Sequence, residues 1–91
     1  MKSRRRIETA EGRAIGKFLT IDGLIIPVQW DEEGNASAIT IATLDEDEYL
    51  VLLDEKGQQL LKHLKEEVLI KGWFYRDSNN RKCIAVDSYS L

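Results

Sequence analysis

Ninety-one residues with an apolar share of 43% suffice for one small domain and argue against global disorder. No apolar run approaches the roughly 20 residues that cross a bilayer, and the basic start M-K-S-R-R-R lacks the apolar stretch of a secretory leader, so a cytoplasmic, bacterial-type location is expected. One cysteine, Cys83, and one histidine, His63, exclude an internal disulfide and a structural zinc centre, and no cofactor is implied.

The net charge of -3 is unevenly spread: +3 over residues 1–13, -8 over 14–61 and +2 over 62–91. The broad basic footprint of a typical nucleic-acid binder is therefore missing, although local steering remains open. Residues 1–12 read as a mobile basic tail, too polar to anchor by burial. Arg4–Arg6 within it could touch phosphate, but a solvated terminus is the plainer reading.

Residues 13–91 read as one domain. Ala14–Ile21 and Leu24–Trp30 are strand-like runs separated by Asp22-Gly23, a strong signal for a tight hairpin. On that reading Trp30 shares a face with Leu24, Ile26 and Val28 and belongs to the core or covers one end of it. Pro27 lacks a backbone donor, which places it at an edge or bulge. After the turn Asp31–Asn35, Ala36–Leu44 alternates, with Ile39 and Ile41 on one face. Asp45–Glu48 is an acidic turn and Tyr49–Leu53 a short strand. The period then lengthens. Gln58–Glu67 places Leu60, Leu61 and Leu64 on one helical face, and a helix of about three turns must dock to be stable. Val68–Arg76 and Lys82–Tyr89 are strands again, joined by the turn residues Asp77-Ser78-Asn79-Asn80.

The stretch from Tyr49 to Tyr89 resembles the second half of an OB-fold. Its third strand leads into a helix and then a final hairpin. Val68, Ile70 and Gly72 are similar to that fold's fourth strand, Ile84 and Val86 to its fifth, and Arg13–Thr20 with Gly16-Lys17 to its first. The whole resembles small uncharacterised bacterial OB-like proteins. The resemblance implies a mainly β fold: a small, closed OB-like barrel of five to six strands with one helix before the last hairpin. It implies no activity, since such folds bind single-stranded nucleic acids, oligosaccharides and proteins. Six runs exceed the five strands of the fold. Either the first two form an extra hairpin, or one run is a bent extension of its neighbour.

Alternation along V-L-I-K-G-W-F-Y-R-D places Val68, Ile70, Gly72 and Phe74 on an inner face, and Leu69, Lys71, Trp73 and Tyr75 outside. Outward aromatics beside cations can stack unpaired bases and attract phosphate. The leading reading is a non-enzymatic binding module that takes single-stranded DNA or RNA through Lys17, Phe18, Lys71, Trp73, Tyr75, Arg76, Arg81 and Lys82. The alternative is a protein-interaction or self-association module, without nucleic-acid activity, in which Trp73 lies in an interface with a protein partner or a second copy. The plainer fate of Trp73 and Tyr75 is to cover the barrel. Asp31–Glu33 and Asp45–Glu48 lack the rhythm of a calcium loop and read as solvated turns. No G-x-S-x-G, P-loop or H-E-x-x-H occurs, so no catalytic residue is assigned and an enzyme is not expected.

Overall fold

A computed structural model describes residues 16–91. The expected basic tail over residues 1–12 lies outside them, as do residues 13–15. Five strands follow: β1 (Lys17–Trp30), β2 (Ala36–Ala42), β3 (Glu48–Val51), β4 (Glu67–Arg76) and β5 (Lys82–Ser90). They close into a ring in the order β1-β2-β3-β5-β4. Every neighbouring pair is antiparallel except β3 with β5, which runs parallel. A single helical segment precedes the last hairpin, as the order of sequence periods requires. It consists of α1 (Glu55–Gln59) and a 3-10 turn over Leu60–His63.

The first two runs are one strand. Lys17–Leu24 pairs with β4, and Leu24–Trp30 with β2, so Leu24 faces both Glu67 and Ala42. Asp22-Gly23 is therefore not a hairpin turn but the corner where β1 changes partners. A Cβ at position 23 would overlap the backbone carbonyl of Ala42. Glycine is demanded here by the close approach of two strands, the second use of the residue in sheets. Reading through the corner also shifts the phase. Ile21, Gly23 and Ile25 share the inner face, and Ile25 is fully buried. Trp30 is accordingly not core: it is 58% exposed, and Leu24 and Val28 are also open to solvent. Pro27 sits beside register shifts in the β1–β2 pairing, as its missing donor requires.

The core fills the ring with Ile25, Ile39, Ile41, Val51, Val68, Ile70, Ile84 and Val86, and Leu60 enters from the helical segment. Burying side chains of this size contributes roughly 1.5–3 kcal/mol each. The helix starts earlier than the leucine spacing predicts because Asp54 caps it, its Oδ1 accepting the Gly57 N–H at 3.0 Å. It also ends earlier: Leu64 is extended and Lys65 is left-handed, with φ 69°. Two backbone hydrogen bonds then tie this exit to β1, from Lys65 N–H to the Ile25 carbonyl (2.6 Å) and from Ile25 N–H to the Glu66 carbonyl (3.1 Å). On β4, Gly72 occupies the inner face, where a Cβ would overlap the Ala85 carbonyl of β5 beside a bulge.

The corner reading yields a discriminating pair of variants. Gly23→Ala should cost at least about 2 kcal/mol in urea denaturation, because backbone must move. Asp22→Ala, at an exposed position inside a strand, should stay within about 0.5 kcal/mol of wild type. A large loss on removing the Asp22 carboxylate would restore the hairpin turn.

Candidate nucleic-acid interface

The register of β1 against β4 fixes where the eight candidate residues lie. Phe18 is opposite Trp73 and Thr20 opposite Lys71, so these four share the outer face. Lys17 is opposite Phe74 and shares the other face. Phe18 is 46% exposed and packs edge-on against Trp73, with ring centroids 4.9 Å apart and an interplanar angle of 70°. Trp73 is half-buried. Its indole Nε1 is buried and finds no acceptor among the described residues, an arrangement that typically costs roughly 1–3 kcal/mol. Lys71 is exposed beside this pair.

Tyr75 does not join the surface. It lies on the outer face as alternation predicts, yet it is only 7% exposed. It packs with Cys83 and Ala85 of β5, and Leu50, Leu52 and Trp73 close around them. The physical reason is the width of the outer strip: β5 presents small residues there, which leave a depression that the phenol ring fills. Burial, and after it the nearby Cys83, push the Tyr75 phenol well above its ordinary pKa. Burial likewise raises the Cys83 thiol, whose Sγ lies 3.5 Å from the Arg81 carbonyl oxygen. A thiol held neutral in this way is a poor nucleophile.

The remaining cations gather at the β4–β5 end and are already engaged. Arg76 lies 5.7 Å from the centre of the Phe74 ring and donates from Nη1 to the Asn80 carbonyl. Lys82 lies 5.7 Å from the Tyr49 ring centre and donates to Asp47 at 2.6 Å. Arg81 Nε donates to Asp77 Oδ2 at 2.8 Å. Asp77 also accepts the backbone N–H groups of Arg81 and Asn79, and these bonds, led by the one from Arg81, hold its carboxyl below the usual range. Tyr49 and Phe74 meet edge-on at 6.2 Å. Alternation already placed Phe74 on the inner face. The signal was present, because Arg76 stands two residues after Phe74 and so shares its face.

Of the eight candidates, the fold thus brings Phe18, Lys71 and Trp73 together, with Lys17 at the strand's start. Lys17 and Lys71 form no ion pair among the described residues. Tyr75 is enclosed, Arg76 and Arg81 are engaged by the β4–β5 turn, and Lys82 by Asp47 of the β2–β3 turn. His63 approaches Glu66 at 3.2 Å on the surface. Among the described residues no group of three or more His, Cys, Asp or Glu is placed to hold a metal ion, and no helix is long and apolar enough to cross a membrane. The chain matches no protein-family model, no curated protein and no solved structure.

The Tyr75–Cys83 contact makes stability depend on alkaline pH. Both groups are raised, so the folded state keeps its protons where the unfolded chain loses them. Stability is complete below the ordinary thiol and phenol values, about 8.5 and 10, and falls as pH climbs past them. The urea midpoint should drop between pH 7.5 and 10.5, and drop less in a Tyr75→Phe/Cys83→Ala double variant. An equal drop in both proteins would show that other groups set the slope.

Proposed function

We propose that this chain is a non-enzymatic, OB-like binding module that takes single-stranded nucleic acid on the outer face of the β1–β4 pair. The OB-like part of the reading is supported by the ring order, the single helical segment before the last hairpin, and the resemblance of the fourth and fifth strands. The observation that carries the binding part is the Phe18 ring, half open to solvent and braced edge-on by Trp73, beside the exposed Lys71.

A base would stack on the open ring of Phe18. Trp73 fixes that ring in advance, so little rotamer freedom is lost on binding. Lys71 would neutralise an adjoining phosphate, whereas Lys17 pairs with Phe74 on the other face. Stacking of this kind is worth roughly 1–3 kcal/mol per base. The acidic turns Asp31–Glu33 and Asp45–Glu48 repel phosphate, which confines the ligand to a short track along β1 and β4. One cation on this face implies a shallow salt dependence, with a slope near -0.7 per neutralised phosphate for a single strand.

The test is fluorescence titration with oligothymidylate at two salt concentrations, in a Trp30→Phe background so that Trp73 alone reports. Phe18→Ala should weaken binding about 5- to 150-fold while the protein stays folded. Lys71→Ala should flatten the salt dependence. Binding that survives Phe18→Ala unchanged, or a flat trace at low salt, would sink the proposal. Loss of self-association in place of loss of binding would reassign the platform to a protein interface.

A further inference from the structure

Among the described residues seven large apolar side chains are exposed, and four of them, Leu24, Leu44, Leu69 and Leu91, line one groove of about 520 Å³. The groove wraps the corner of β1, where the strand leaves β4 for β2. Scattered exposed leucines need no explanation, whereas convergent ones mark an interaction site. Leu44 is the extreme case. It stands 95% exposed in the β2–β3 turn, where it gains nothing from the core.

The charges on the groove have one sign. Among the described residues its charged lining side chains are Asp22 and Glu67, both exposed, and neither forms an ion pair there. The acidic run Asp45–Glu48 begins directly after Leu44. An apolar wall beside Asp22 and Glu67, which carry no ion pair among the described residues, selects an occupant that is apolar and cationic together. Phosphate is repelled. A second copy is disfavoured too, because a two-fold contact through this face would bring Asp22, Glu67 and the acidic turn of both copies together. The volume falls within the range that accepts compact ligands or a few side chains.

We propose that this groove docks a segment of a partner protein in which leucine-sized side chains are flanked by Lys or Arg. Leu24, Leu44 and Leu69 receive the apolar side chains, and Asp22 and Glu67 receive the flanking cations. The site lies along the same outer face as Phe18 and Trp73 but uses none of those residues, so each can fail without the other.

The probe is a fluorescein-labelled heptapeptide of the pattern K-L-L-K-L-L-K, followed by fluorescence anisotropy at low salt. Two controls replace every Lys by Glu, or every Leu by Ser. The basic, apolar peptide should bind saturably and the controls should not. Leu44→Ser should weaken binding at least fivefold, and its exposure means that the change leaves the fold intact. Asp22→Asn with Glu67→Gln should weaken binding at low salt and matter less as salt rises. Unchanged affinity in Leu44→Ser would overturn the proposal, as would equal binding of the Leu-to-Ser control, which would reduce the effect to bulk charge. A wild-type dimer in sedimentation velocity that Leu44→Ser dissolves would also overturn it, by making a second copy the occupant.

Discussion

The ring depends on a single strand serving two neighbours. Here the ring closes because β1 leaves β4 and reaches β2 without a break, the changeover falling at Leu24. The closing strands come so near each other that position 23 has no room for a side chain. From that contact follow the inward phase of Ile21 and Ile25, the outward phase of Leu24, Val28 and Trp30, and the groove that wraps the corner. The exit of the helical segment is fastened to the same stretch through both backbone groups of Ile25. Core, helix placement and outer surface therefore share one geometric cause.

A ring this small has few residues to spare, and β5 shows how they are used. Ile84 and Val86 face inward and Cys83 and Ala85 outward, yet all four are buried. The outer pair is covered by Tyr75 with help from Trp73, Leu50 and Leu52. An outward aromatic is thus not automatically an available one. Where β5 supplies small residues, the neighbouring ring lies down on them. Phe18 is farther from that depression, remains half open, and is the aromatic around which a proposed interface is best built.

Most of the fold was legible because period and punctuation agreed. The alternation of Ile39 with Ile41, of Val68 with Ile70 and of Ile84 with Val86 identified the inner faces of three strands, and the leucine spacing located the helical segment. The misreading with the widest effect was Asp22-Gly23, where composition alone cannot separate a turn from a close crossing. That one error displaced Trp30 into the core, since alternation carries any phase mistake to the end of a strand. The site was less legible than the fold. Sequence adjacency grouped eight residues that the sheet divides between two faces and a turn. The pairing of Lys82 with Asp47, and of Arg76 with Phe74, needs strand register and turn geometry that no local pattern encodes. Asp54 as the helix cap was missed, with the helix start expected at Gln58, although an Asp three residues ahead of Gly57 is a local signal for it.

The pairing of β3 with β5 sets the order in which the chain can acquire its structure. Leu50 and Val51 meet Cys83 and Ile84 across more than thirty intervening residues, and the first half of β1 waits for β4 across a still longer interval. The β1–β2 hairpin can form early from local contacts, but it leaves Ile25, Ile39 and Ile41 covered on one side only. The ring cannot close before the final hairpin docks, because β5 is the link between β3 and β4. Such a high share of distant contacts places the folding rate toward the slow, millisecond-to-second end for small domains. During synthesis, the apolar face of the first hairpin stays open to chaperones or to its neighbours until residues near Val86 have left the ribosome.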